Sequence, residues 1–192
     1  MTNSNNTTLN TFAHFNLRSY TNSYLAFNPQ TKEALIVDPF CFDEKLFTTI
    51  ESLDLNITTV LLTSSHPAHA KGVKTIQKIY DIEVYQGGLN EEKQSGTFIS
   101  EDSSFTLFGT EVKALTMEGS NKNGLVYIIG NNIFTGLVLE AGTICQTTTP
   151  YRRALLTKTI KQKLFSLKGD YTILPAYGPI STLHIEKEYN KL

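Results

Sequence analysis

Apolar and polar residues alternate in short segments that switch between the two-residue period of strands and the 3.6-residue period of helices. The first half of the chain predicts four strands, at residues 21–27, 34–37, 57–63 and 82–85. The first two form a hairpin. Asp43 can cap a helix before the third strand, and another helix follows the loop at residues 64–68. We therefore expect strands and amphipathic helices to alternate here.

The second half is mostly β up to residue 135 and then turns helical. Gly and Asn punctuate five strand candidates, at residues 97–99, 104–108, 111–116, 125–129 and 132–135. Thr149 can cap a helix that has Pro150 in its first turn and ends near residue 168. A strand at 172–174 and a short final helix complete the order. This order predicts sheets covered by helices.

Residues 1–11 are mostly Asn, Thr and Ser, which predicts a disordered polar tail before a single domain at residues 12–192. The tail lacks the basic start and apolar stretch of a signal peptide. The apolar runs of the chain are too short to cross a membrane. Two Cys make no disulfide framework, so we expect a reduced cytoplasmic protein.

The charge balance argues against a nucleic-acid-binding protein, because 17 basic and 18 acidic residues give a formal charge of -1. A basic stretch at residues 152–168 holds six cations and no carboxylate: Arg152, Arg153, Lys158, Lys161, Lys163 and Lys168. It fits an anion-, nucleic-acid- or partner-binding face, or the solvated back of a helix. We favour the solvated back, because several of its lysines point away from the apolar stripe. Neither nucleic acid nor membrane is expected as a partner.

Two of the four His residues, His66 and His69, lie in the loop between a strand end and a helix. Loops at strand ends often carry chemistry because a rigid scaffold holds them. Such a pair fits a metal site, or a base with its orienting partner. It also fits one helix-capping His and one solvated His. Spacing alone favours this last interpretation, because such pairs are common.

The segment around these His resembles the metallo-β-lactamase superfamily, and within it the glyoxalase II-like (hydroxyacylglutathione hydrolase-like) branch. Those proteins carry an H-x-H-x-D-H motif after a strand ending in Leu-Leu-Thr, as residues 61–63 do here. Further landmarks follow in the family's order: Asn22-Ser23-Tyr24-Leu25, Ile36-Val37-Asp38-Pro39, Asn132-Ile133-Phe134-Thr135-Gly136 and Leu174-Pro175-Ala176-Tyr177-Gly178-Pro179. The likeness covers nearly the whole chain after Thr11. It implies an α+β fold of four layers, an αββα sandwich with its metal site along one edge of the sheets.

The resemblance also implies seven ligand positions, five His and two Asp, that hold two zinc or iron ions. Only His66 and His69 keep a ligand, one for each former ion. The other five positions carry Ser64, Ala68, Ser120, Leu137 and Tyr177. A catalytic zinc needs three protein ligands and a water, so we expect no metal cofactor. Asp38 occupies the position that supports a ligand His in the family.

Leu137 is the most damaging departure, because an apolar group replaces the carboxylate that bridges the two ions in the family. Ala68 removes the carboxylate that helps to position the attacking water. Without a metal, no Lewis acid makes hydroxide from water near neutral pH. We expect a residual pocket, smaller and less acidic than in active relatives, formed by Asp38 and the seven former ligand positions.

Two rebuilt sites stay open on the sequence. Cys41 and Cys145 follow turns near this edge, so a zinc or iron site of His66, His69 and a thiolate is chemically sensible. Ser64 or Ser65 beside a His fits a nucleophile pair. Unrelated buried thiols and leftover hydrogen bonds of the old loop are simpler interpretations, and we favour them.

Three functions follow from these residues. The first is a non-catalytic member of the fold, a pseudoenzyme that binds a small molecule or a protein partner. The second is a thioester or ester hydrolase with a metal-free or single-metal site around His66 and His69. The third, an ordinary glyoxalase II-like thioesterase, conflicts with the ligand positions and with the absence of that family's C-terminal helical domain. We favour the first, and the oligomeric state stays open.

Overall fold

The first sheet collects the strands of the first half in chain order. The computed structural model describes residues 9–88, 96–121 and 124–192. Six strands form this sheet: β1 (Asn10–Asn16), β2 (Thr21–Phe27), β3 (Glu33–Val37), β4 (Asn56–Leu61), β5 (Glu83–Gly87) and β6 (Thr97–Ile99). The first three strands are antiparallel, and β3 to β6 are parallel. The carboxyl ends of β3, β4 and β5 therefore meet at one edge.

The second sheet is built from the later strands in a permuted order. Its six strands lie in the order β14 (Ser181–Thr182), β13 (Thr172–Pro175), β10 (Asn132–Gly136), β9 (Leu125–Ile129), β8 (Thr110–Thr116) and β7 (Ser103–Leu107). Only β10 and β13 run parallel within this sheet. A two-stranded ribbon of β11 (Leu139–Glu140) and β12 (Thr143–Ile144) follows β10.

Helices cover the outer face of each sheet. The helices are α1 (Glu44–Ser52), α2 (Val73–Ile76), α3 (Pro150–Lys163) and α4 (Leu183–Tyr189). Leu46 of α1 packs in one core with Ile36 of β3, and Leu156 of α3 packs in another with Ile133 of β10. A third core lies between the two sheets. These four layers form the αββα sandwich that the resemblance implied, so the predicted fold class is confirmed.

Strand β9 shows how the apolar pattern produces these layers. All five of its residues are buried. Leu125, Tyr127 and Ile129 face the core between the sheets, whereas Val126 and Ile128 face α3. Side chains alternate between the faces of a strand, so a strand buried on both faces is apolar throughout.

Both predicted helix caps are present. The Leu46 backbone N–H donates to Asp43 Oδ1 at 3.0 Å, and the Arg152 N–H donates to Thr149 Oγ1 at 3.2 Å. Two helices are shorter than predicted: α2 has four residues, and α3 ends at Lys163 rather than near residue 168. The chain continues beyond both in hydrogen-bonded turns, in which the Ile79 N–H donates to the Ile76 carbonyl and the Phe165 N–H to the Ile160 carbonyl. No helix in the described residues is long and apolar enough to cross a membrane.

Strand β1 is an element that the sequence pattern did not predict. Asn10 and Thr11, the last two residues of the predicted tail, already pair with β2, opposite Phe27 and Ala26. Leu9 is buried in the core between the sheets. Residues 1–8 lie outside the described part of the chain. The strand was missed because pairing with β2, rather than a local apolar pattern, defines it.

Hydrogen bonds join the two sheets at the edge where β3, β4, β10 and β13 end. The Leu125 backbone N–H donates to the Thr63 carbonyl at 2.7 Å. On the other side, the Asn22 N–H donates to the Ala176 carbonyl at 2.8 Å, and Tyr24 Oη donates to the Pro175 carbonyl at 2.7 Å. The predicted site residues lie on the loops that these bonds hold together.

Gly136 offers a test of this close contact. It has φ +56°, and a Cβ added there would lie 2.1 Å from Thr63 Oγ1; Gly130 has the same φ with nothing within 4 Å. We expect Gly136→Ala to lower the free energy of unfolding by about 3 kcal/mol, from left-handed strain and overpacking together. Gly130→Ala should lose only about 1 kcal/mol. Urea denaturation measures both, and equal losses would contradict the contact.

Candidate functional site

Asp38 lies directly after β3 and is almost completely buried, with 2% of its surface exposed. Its backbone adopts a left-handed conformation, with φ 50°. One carboxylate oxygen, Oδ1, accepts the Thr63 backbone N–H at 2.8 Å, and Oδ2 accepts the Thr63 hydroxyl at 2.5 Å. The Ser23 hydroxyl donates to the Asp38 carbonyl at 2.6 Å. These bonds hold a buried charge between the ends of β3 and β4.

His69 completes this network from the loop before α2. Its Nδ1 lies 2.9 Å from Asp38 Oδ1, and only 1% of its side chain is exposed. A carboxylate accepts hydrogen bonds, so Nδ1 carries a proton and Asp38 fixes the ring orientation. The Phe40 ring packs against the imidazole with centroids 4.5 Å apart. Asp38, which the resemblance placed beside a ligand His, thus contacts an imidazole in this structure.

His66 has different surroundings, because it lies on the exposed side of the same loop. Its backbone N–H donates to Ser64 Oγ at 3.1 Å, and its Nδ1 accepts the Ala68 backbone N–H at 3.2 Å. Activation of a serine needs an imidazole nitrogen to accept the hydroxyl proton. This Nδ1 already accepts a backbone N–H, so these contacts fix the loop and do not form the nucleophile pair.

The three remaining predicted positions lie on three other loops. Ser120 closes its own turn, donating to the Met117 carbonyl at 2.6 Å and accepting the Gly124 N–H at 3.1 Å. Leu137 and Tyr177 are half-buried. Their loops are neighbours, because the Ala176 backbone N–H donates to the Gly136 carbonyl at 2.8 Å. The Tyr177 ring lies against Phe40, with centroids 6.0 Å apart.

Two residues with clear roles at this edge had no assigned role in the sequence. The backbone N–H and the hydroxyl of Thr63 both donate to the Asp38 carboxylate. The Phe40 ring contacts both His69 and Tyr177. Thr63 belongs to the Leu-Leu-Thr segment that supports the resemblance, but that segment does not indicate which residue Thr63 contacts. Phe40 follows the Asp38-Pro39 turn and had no polar atom to mark it.

Comparison with known proteins finds relatives in sequence and in fold. No protein-family model matches the chain. The chain is 26% identical over 184 residues to hydroxyacylglutathione hydrolase GloC of Haemophilus influenzae, covering 83% of this chain and 86% of that protein. It is 23% identical over 118 residues to the probable polyketide biosynthesis zinc-dependent hydrolase BaeB of Bacillus velezensis, covering 59% and 52%.

Solved structures share the whole architecture. The crystal structure of the BLEG-1 B3 metallo-β-lactamase superposes with a TM-score of 0.84 at 21% identity, covering 95% of this chain and 98% of that one. The chain has the metallo-β-lactamase fold. Another structure of this fold, TTHA1623 in a di-iron-bound form, has a TM-score of 0.74 at 21% identity and covers 94% and 98%.

The residues at this edge do not fit the dinuclear metal of the superfamily. Among the described residues, no three His, Cys, Asp or Glu side chains lie close enough together to hold a metal ion. His69 is buried beside Asp38, and His66 is exposed on the loop. A catalytic zinc takes three protein ligands, so this donor set is too small and too dispersed.

The alternative site of His66, His69 and a Cys, which stayed open on the sequence, is not formed by the described residues. Cys145 packs against the core between the second sheet and α3, whereas Cys41 lines a cavity with His14. Burial raises the pKa of the Cys145 thiol, and the charge of Glu140 raises it further. A thiol with a raised pKa stays protonated near neutral pH, which makes it a poor metal ligand.

Glu140 places a carboxyl near Tyr177 and Cys145. Burial raises the pKa of this carboxyl. Burial also raises the pKa of the Tyr177 phenol, and the charges of Glu140 and Asp38 act in the same direction. A carboxyl and a phenol whose pKa values are both raised therefore lie near each other at this edge.

A pair of His substitutions tests the roles of the two imidazoles. His69→Ala leaves a cavity and removes the proton donor to a buried carboxylate, so we expect a loss of about 3 kcal/mol in the free energy of unfolding. His66→Ala removes an exposed ring and should stay within about 0.5 kcal/mol. Chemical denaturation compares them, and a larger loss for His66→Ala would contradict the assignment.

Glu140→Gln tests the burial of the carboxyl. Because its pKa is higher in the folded protein than in the unfolded chain, the stability that Glu140 contributes is present at low pH and lost as the pH rises through the raised value. The melting temperature of Glu140→Gln relative to the unsubstituted protein should therefore increase from about pH 4 to about pH 7. The exposed Glu101, changed to Gln, serves as the control. A difference that is flat with pH, or that decreases, would contradict the expectation.

Proposed function

We propose that this chain is a pseudoenzyme of the metallo-β-lactamase superfamily, which keeps the fold as a scaffold for binding a small molecule or a protein partner. The observation that carries the proposal is the donor set at the former metal edge. Five ligand positions hold residues other than His or Asp: Ser64, Ala68, Ser120, Leu137 and Tyr177.

The chemistry of the superfamily depends on its metal. A bound zinc or iron polarises the substrate carbonyl and lowers the pKa of water, so that hydroxide forms near neutral pH. In this chain, Leu137 stands where a bridging carboxylate would be needed, and His69 makes its polar contact with Asp38. Nothing in this arrangement supplies an equivalent Lewis acid, which supports the proposal of a non-catalytic protein.

The buried hydrogen-bond network gives Asp38 and His69 a structural role that needs no metal. Asp38, Thr63 and His69 bond to one another and to both sheets. Their removal would leave buried polar groups without partners, which is costly. We therefore interpret His69 as a structural residue that stabilises the loop, and not as a remaining metal ligand.

A thioester or ester hydrolase with a metal-free or single-metal site is the alternative function. One observation favours it: Asp38 orients His69 as a carboxylate orients a general base. Against it, His69 is only 1% exposed, and the second imidazole lies on the exposed side of the loop. A base must reach the water or hydroxyl that it activates, so the proposal of a scaffold is the better supported one.

Metal analysis tests the proposal directly. After growth or refolding with zinc, iron and manganese, we expect the purified protein to retain well below one tightly bound ion per chain. Hydrolysis of a hydroxyacylglutathione thioester should not exceed the rate in buffer, because no group lowers the pKa of water. Elemental analysis and a thiol-release assay measure the two quantities.

GloC of Haemophilus influenzae, prepared in the same way, is the matched positive control for both measurements. One or two tightly held ions per chain would overturn the proposal. Turnover by the unsubstituted protein that disappears in His69→Ala would favour the hydrolase alternative instead, provided that the variant is still folded under the assay conditions.

A further inference from the structure

A cavity opens on the helix side of the first sheet, beside the former metal edge, and Ser64 and His66 of that edge are among its lining residues. Its volume is about 330 Å³. It lies where β4 and β5 end, with Leu62 and Val84 as apolar walls and Val73 of α2 above them. Crevices outside the carboxyl ends of parallel strands are common ligand sites, and this volume suits a small organic molecule.

Gln86 is the residue that indicates a ligand. It lies on β5, lines this cavity and has only 8% of its surface exposed. Among the described residues, its side-chain amide has no hydrogen-bond partner. Neither atom of this amide is among the completely buried atoms without a partner, so the amide reaches the solvent of the cavity. A ligand that offers an acceptor to this amide would replace that solvent contact with a hydrogen bond.

The charged and polar groups at the mouth of the cavity indicate the charge of that ligand. Lys74 of α2 and His66 both line it. Because His66 Nδ1 accepts the Ala68 backbone N–H, its Nε2 carries a proton and can donate. No Asp or Glu is among the described residues that line this cavity.

A neighbouring cavity shows that this charge is local. The two cavities share Gln77 and Val84, but the neighbour is lined by Asp81 and Glu83 and by no Lys, Arg or His among its described residues. Lys74 and His66 therefore line only the first cavity, which is rich in hydrogen-bond donors, and the acidic residues line only the second. An anion would enter the first and avoid the second.

We propose that this cavity binds a small organic carboxylate with a short apolar chain. The Gln86 amide, Lys74 and His66 would donate to the carboxylate, and Leu62, Val73 and Val84 would contact the chain. The proposal names a ligand for the scaffold, and so rests on the binding half of the proposed function. It does not depend on the metal content or on the hydrolysis assay, so its failure is distinguishable from theirs.

Butyrate is the probe, with butyramide as its neutral match and inorganic phosphate as an anion without an apolar chain. Titrations followed by ¹H–¹⁵N NMR should move the side-chain NH₂ signal of Gln86 saturably with butyrate. Butyramide and phosphate should bind at least about fivefold more weakly, because the first lacks the charge and the second lacks the apolar contact. Equal binding of either would overturn the proposal, as would no saturable shift with butyrate.

Variants locate the site. Gln86→Leu should weaken butyrate about tenfold, because it removes the buried donor. Lys74→Gln, at an exposed position, should weaken it about threefold. Lys71→Gln is the matched control: Lys71 is exposed in the same segment but does not line the cavity, so affinity should not change. If Gln86→Leu fails to fold, Lys74→Gln against Lys71→Gln decides, and equal affinity in those two variants would overturn the proposal.

Discussion

The buried carboxylate of Asp38 is the interaction on which this edge of the molecule depends. It ends β3, takes both donors of Thr63 after β4, and holds His69 from the loop that follows. The carbonyl of Thr63 accepts the Leu125 backbone N–H of the second sheet at 2.7 Å. The same residue thus bonds to the carboxylate and joins the sheets. A charge buried this deeply is tolerated only because all these bonds are made.

The residues at the predicted ligand positions fall into two groups relative to this network. Ser64 and Ala68 lie between Thr63 and His69, in the loop that the network holds, whereas Ser120, Leu137 and Tyr177 lie on other loops. Ser120 bonds within its own turn, and Tyr177 packs against Phe40. None of these five residues belongs to the three apolar cores. The packing that stabilises the fold is therefore independent of the residues at the predicted ligand positions.

The proposed binding cavity lies at the same edge, where the parallel strands of the first sheet end, but on the helix side of that sheet. Parallel strands end at one edge, and their last residues can point into the space between the sheets or under a helix. Asp38 and His69 bond to each other at this edge, and the Phe40 ring packs against the imidazole. Gln86 and Lys74 line the cavity beside α2. The carboxyl ends of the parallel strands can in this way offer a site for a small ligand on the helix side of the first sheet.

The sequence by itself determined the features that depend on residue type or on near neighbours. The fully apolar β9 and the helix caps Asp43 and Thr149 are local signals, and the structure contains all of them. Leu137 and Ala68 cannot bind a metal wherever they lie. Tertiary structure decided what depends on partners distant in the chain: the pairing of β1 with β2, and the burial of His69 while His66 is exposed. It also carried Cys145 into the core beside α3 and left the Gln86 amide at a cavity, because burial and hydrogen bonding are set by neighbours that spacing does not reveal.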